Sequence, residues 1–122
     1  DLIKKAYKKG AILCGVSAGA ICWFNKGVTD SWESELKIID CLGLVNTNGC
    51  PHYNGESDRR PSVESFLRSS DLDSCICMED GSAIHYVDGD IKTAVNFQSG
   101  NVYNAFLSNN NFIEDKIKSI YL

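Results

Sequence analysis

The sequence predicts an α/β domain, and three observations point there. An apolar run, Ala11-Ile12-Leu13-Cys14-Gly15-Val16, leads directly into a Gly-x-Ser-x-Gly turn and then into an apolar, helix-compatible segment. A second compact apolar run, Ser74-Cys75-Ile76-Cys77-Met78, follows a helix-compatible stretch. The C-terminal third then alternates apolar runs with turn residues, as β-hairpins do.

Taken in order, Leu2, Ile3, Ala6 and Tyr7 make the i, i+1, i+4, i+5 stripe of a helix over residues 1–9, and Gly10 is suited to end it. Residues 11–16 are expected to form a strand buried on both faces of a parallel sheet. After Ser17, residues 18–24 read as helix. Residues 36–45 read as strand or as a short buried segment. Residues 46–61, rich in Asn, Gly, Pro and charge, read as a long loop of the kind that carries function, and they contain His52. Ser62 is expected to cap a helix running to about Ser69, with Glu64 in its first turn facing the positive end of the dipole. Residues 74–78 read as strand. Residues 83–87, 91–97 and 102–107, separated by turns at Asp88-Gly89-Asp90 and Ser99-Gly100-Asn101, form a hairpin meander.

With 122 residues and 43% hydrophobic side chains, the chain is expected to be one domain. Its net charge of −4, with Lys and Arg scattered among acidic residues, excludes the basic stripe that nucleic acid requires. No apolar run approaches the roughly 18 to 20 residues that cross a bilayer, and the N-terminus lacks a signal-peptide core. Cys14, Cys22 and Cys77 sit in apolar segments and read as core thiols, which favours a reducing cytoplasm. Cys75-x-Cys77 is too closely spaced for a zinc half-site and marks one face of a strand, so no metal or cofactor is expected. The only methionine is Met78, so a fragment or a processed product is expected.

Strand, Gly15-Val16-Ser17-Ala18-Gly19 and helix make a nucleophile elbow: the glycines permit a sharp bend and the hydroxyl stands at the sheet's carboxyl edge. The Ala18 N–H is the natural oxyanion donor, assisted by the helix N-terminus. A glycine-rich turn that binds a phosphate is the plainer alternative, but the dinucleotide fingerprint is not met, because its second glycine is missing. A serine nucleophile needs a base. Of the two histidines, His52 in the polar loop is favoured over His85, which reads as a structural strand residue. An acid must orient the imidazole. Asp80 stands at a strand terminus, Glu79 is its immediate competitor and Asp30 a more distant one. The order Ser, His, acid differs from the Ser, acid, His order of lipases and esterases.

These motifs resemble peptidase family S51, the group of peptidase E (aspartyl dipeptidase) and cyanophycinase. The resemblance rests on Gly15-Val16-Ser17-Ala18-Gly19-Ala20, Thr29-Asp30-Ser31, Cys50-Pro51-His52-Tyr53 with Glu56 and Arg59-Arg60-Pro61, and Glu79-Asp80-Gly81-Ser82-Ala83, and it runs to the Val102-Tyr103 strand. It implies a class I glutamine-amidotransferase-like (flavodoxin-like) sheet and a triad on Ser17, His52 and Asp80, with Asp80 where the peptidase E branch usually has glutamate. It further implies that Asp30 lies near the site and that Arg59 or Arg60 pairs with a substrate carboxylate, for which a guanidinium fork is suited. A solvated loop charge is the plainer alternative for either arginine.

Members of the family run considerably further at the N-terminus, where a glycine-rich loop is expected to supply the other oxyanion donor. The chain thus resembles a C-terminal half, and half a parallel sheet would expose an unpaired edge and apolar surface. Three outcomes are open to such a half: a separate chain completes it, two copies pair their edges, or it is a nonfunctional fragment. The activity expected is that of a cytoplasmic serine exopeptidase acting on short peptides. The rivals are an esterase or other acyl hydrolase on the same triad, and a non-catalytic assembly domain.

Overall fold

A computed structural model describes residues 1–31 and 34–122. The elements are α1 (Leu2–Lys8), α2 (Ala18–Ile21), β1 (Lys26–Thr29), β2 (Lys37–Asp40), β3 (Asn48–Cys50), α3 (Arg59–Arg68), β4 (Ser74–Met78), β5 (Ser82–Val87), β6 (Asp90–Asn96), β7 (Val102–Ser108), β8 (Asn111–Lys116) and β9 (Ser119–Tyr121). Among the described residues, six strands pair in the order β2-β1-β3-β4-β7-β8, and β5-β6-β9 form a second sheet. The chain is therefore α/β with mixed sheets, compatible with a flavodoxin-like fold. The parallel part is β1-β3-β4, and antiparallel strands border it on both sides.

Strand β4 shows why the main sheet lies at the centre. Its side chains alternate, so Cys75 and Cys77 enter one apolar cluster and Ile76 and Met78 the other. The first cluster contains Val63 and Leu67 of α3, with Val28, Cys50 and Ala105 from the strands beneath. The second takes Ile21, Phe24, Ala94 and Val102, which places α2 and the small sheet on the opposite face. Both cysteines of Cys75-x-Cys77 thus share one strand face.

Several expectations are corrected. Residues 11–16 form no strand: the run pairs with none of the described strands, and Ile12 and Val16 are 92% and 85% exposed. An apolar run becomes a strand only where neighbours take its backbone hydrogen bonds. Cys14, within this run, is exposed, and Cys22, at the end of α2, is half-buried, while Cys77 lies in the core as expected. Helix α1 forms but buries none of its residues. The helix after Ser17 ends at Ile21, and residues 36–45 hold the four-residue β2.

The loop expected over 46–61 is interrupted by β3, all three residues of which are buried. Its end is already helical. Asp58 precedes the first turn of α3, and Pro61 is tolerated there because early helix N–H groups have no intrahelical partner. Ser62 is thus inside the helix and not its cap, and Glu64 lies mid-helix, paired with Arg68 one turn on. The meander is split between sheets: β5 and β6 pair with each other, whereas β7 crosses to β4 and continues into β8. Strand β6 is completed by β9, which runs parallel to it. None of the described helices is long and apolar enough to cross a membrane.

Candidate active site

Parallel pairing assembles the site. Strands β1, β3 and β4 run the same way side by side, so the segments leaving them emerge at one edge: Asp30 after β1, His52 after β3 and Asp80 after β4. The Tyr53 N–H donates to the Met78 carbonyl at 3.0 Å, which carries the β3–β4 association past the end of the ladder.

Ser17 reaches this edge from the other direction. It occupies the N-cap position of α2 with φ 56° and ψ −120°, a sparsely populated conformation for a residue with a side chain. The Gly19 N–H closes the bend on the Val16 carbonyl at 2.9 Å, and the Ser17 carbonyl accepts from the Ala20 and Ile21 amides at 2.9 and 3.1 Å. Gly15 allows the close approach, because a side chain there would meet the backbone of Gly19. With four residues, α2 has little dipole of its own, so local amides such as that of Ala18 matter more than the dipole first expected.

The three side chains form one line. His52 Nε2 lies 2.9 Å from Ser17 Oγ, and His52 Nδ1 lies 2.7 Å from Asp80 Oδ1. An ionised Asp80 can only accept, so Nδ1 carries the proton and Nε2 presents a lone pair to the Ser17 hydroxyl. Glu79 points elsewhere: its Oε2 accepts from the Asn101 backbone N–H at 2.8 Å and from Asn101 Nδ2 at 3.2 Å. His85 lies on an exposed position of β5.

The two arginines are held differently. Arg59 is 2% exposed, and its donors are spent inside the protein: Nε and Nη2 on Glu56 Oε2, each at 2.7 Å, Nη1 on the Val28 carbonyl at 3.1 Å, and Nη2 on Asp30 at 3.2 Å. Burial by itself works against its charge, but the hydrogen bond to Glu56 and the two carboxylates outweigh that and raise its pKa. Arg59 is neither a solvated loop charge nor a free carboxylate receptor. It fastens β1, the His52 loop and α3 together. Arg60 is largely exposed and pairs with Glu114 at 2.6 Å.

Sequence reasoning did not find Glu114, whose Oε1 accepts from both Tyr53 and Arg60 at 2.6 Å, nor Asn54, whose Oδ1 accepts the Asp80 N–H at 2.9 Å. Burial, with the carboxylate of Glu114 close by, pushes the Tyr53 hydroxyl pKa up, so it stays a donor. Asn54-Gly55 reads locally as a turn, and Asn in turns bonds to backbone amides, but nothing in the sequence names Asp80 as the donor.

An α/β sheet that gathers a hydroxyl, an imidazole and a carboxylate in hydrogen-bonded order at one strand edge is the arrangement of a hydrolase. Comparison with known proteins agrees with that class: residues 1–94 match the family described as Peptidase family S51, and the chain belongs to this family. It is also 35% identical, over 122 residues covering 99% of its length, to a Bacillus subtilis (strain 168) protein described as the uncharacterized peptidase YgaJ. The chain spans about half of that relative, 53% of its length.

Proposed function

We propose that this chain carries the nucleophile, base and acid of a serine exopeptidase, dipeptidase E-like, that hydrolyses short peptides, including those with N-terminal Asp. The observation that carries the reading is the continuous line from Ser17 Oγ through both ring nitrogens of His52 to Asp80, with steps of 2.9 and 2.7 Å. In this reading Ser17 Oγ attacks the scissile carbonyl carbon and passes its proton to His52 Nε2. Asp80 accepts the Nδ1–H bond throughout and stabilises the imidazolium. The Ala18 N–H contacts the oxyanion. Collapse transfers the proton from Nε2 to the leaving amine and leaves an ester on Ser17. Water, deprotonated by His52, then releases the acid.

We infer a class I glutamine-amidotransferase-like sheet for the fold and a reducing cytoplasm for the setting, in keeping with cysteines that stand as free thiols. Because Arg59 is committed to Glu56 and Asp30, it serves the site through them, and the half-exposed Asp30 and the surface Arg60 are the groups left to meet substrate charge.

The test is labelling with a fluorophosphonate probe alongside hydrolysis of Asp-containing dipeptides and p-nitrophenyl esters. Modification of Ser17 with dipeptide turnover supports the peptidase. Ester turnover alone supports an acyl hydrolase on the same residues. A second, non-catalytic assembly reading is favoured by the exposure of Ile12 and Val16, and it predicts no modification of Ser17.

A further inference from the structure

The carboxylate of Asp80 is 58% exposed, so packing does little to hold it against the imidazole. Its place is set by its neighbours in the His52 loop. The Asp80 backbone N–H donates to Asn54 Oδ1 at 2.9 Å, and Asn54 follows His52 by two residues. Side chain to side chain, and backbone back to side chain, this closes a ring: His52 imidazole, Asp80 carboxylate, Asp80 amide, Asn54 carboxamide and the backbone from Asn54 to His52. The loop segment of the ring is itself pinned, since the His52 carbonyl accepts from the Gly55 and Glu56 amides at 3.1 and 3.3 Å and His52 has φ 55°. Gly55 completes it, because a side chain there would run into Asp80 Oδ2.

We propose that Asn54 is a positioning residue that sets the separation of the His52 imidazole and the Asp80 carboxylate, by gripping the backbone of the acid from the loop that carries the base. The proposal rests on the hydrolase reading for its effect on rate, but not for its effect on geometry. A closed ring of this kind removes the freedom of an exposed carboxylate to rotate into water, and misplacement of a catalytic group by about 1 Å costs up to roughly 100-fold in rate.

The experiment compares Asn54→Ala, which removes the acceptor, with Asn54→Asp, which keeps an Oδ for the same N–H. In the full chain, Asn54→Ala lowers kcat and the rate of Ser17 labelling by about 10- to 100-fold with KM within about twofold. The His52 Nδ1–H proton, followed by NMR, is lost to solvent exchange in this variant, while the melting midpoint stays close to that of the parent. Asn54→Asp restores both the labelling rate and the Nδ1–H signal. An unchanged Nδ1–H signal in Asn54→Ala, or failure of Asn54→Asp to restore it, overturns the proposal. If the parent protein itself is never labelled at Ser17, the hydrolase reading fails and the NMR comparison still decides the role of Asn54.

Discussion

His52 Nδ1 stands 2.7 Å from Asp80 Oδ1, while the adjacent Glu79 carboxylate is turned to Asn101. Two neighbouring acids therefore have separable duties. Asp80→Asn is expected to slow acylation of Ser17 by about 10³- to 10⁴-fold, because an amide holds the imidazole in the wrong tautomer. Glu79→Ala is expected to act on stability, at about 1–3 kcal/mol, by removing the oxygen that accepts both bonds from Asn101. Fluorophosphonate labelling rates and urea midpoints separate the two, and equal loss of labelling in both variants would refute the assignment.

The elbow glycines are expected to be unequal. Gly15→Ala drives a methyl group into the Gly19 backbone and should abolish labelling of Ser17, whereas the same methyl at Gly19 meets nothing within 4 Å. Gly19→Ala should keep most of the labelling rate. The reverse ranking would mean that the bend is built differently.

Arg59 and Arg60 are expected to differ in stability. Arg59→Ala strands the Val28 carbonyl and releases two carboxylates. Since Glu56 and Asp30 still reach water, the loss should fall below the about 3–5 kcal/mol of a fully buried broken pair. Arg60→Ala removes an ion pair from an exposed arginine and should cost less than about 1 kcal/mol. Chemical denaturation of both variants checks the ranking, and a costlier loss at Arg60 would contradict it.

Alkali should weaken the fold. Burial pushes the thiol pKa values of Cys50 and Cys77 above the ordinary 9.0, and it pushes the Tyr86 hydroxyl from 10.0 to about 12. Groups raised in the folded state contribute stability that is complete below their unfolded values and lost as pH climbs toward the folded ones. The urea midpoint is therefore expected to hold to about pH 9 and fall above it, less steeply in Cys77→Ala. A midpoint that stays level to about pH 10.5 would be inconsistent with these buried neutral thiols. At neutral pH the exposed Cys14 should react with a thiol reagent while Cys50, Cys75 and Cys77 do not.

Much of the candidate site was legible as motif. Ser17, His52 and Asp80 each stand beside residues with a local meaning, namely paired glycines, a proline-bounded loop and a strand terminus, and the structure joins them by hydrogen bonds. Strand β4 was also legible, since five apolar or small residues in a row suit a strand buried on both faces. The misses share a cause. Residues 11–16 have the composition of a buried strand, but composition records a tendency to be covered and not whether a partner is present. Asn48 and Gly49 have poor strand propensity, and only neighbours distant in sequence, β1 and β4, make β3 a strand. Arg59 looked solvated because Val28 and Asp30, on and just after β1, are distant from it in sequence, and charge is read as exposed until its partners are known.

The pairing of β6 with β9 sets an order of events during synthesis. Ala94, Val95 and Asn96, paired on one side with β5, receive their second neighbours from Ser119, Ile120 and Tyr121, so the small sheet has two strands and an open side until those residues leave the ribosome. A two-stranded hairpin is marginal in water, and its open side is a template for another chain. A nascent polypeptide stalled or clipped shortly after residue 108 would therefore be most prone to cling to its neighbours, although Ser17, His52 and Asp80 have all been translated by then.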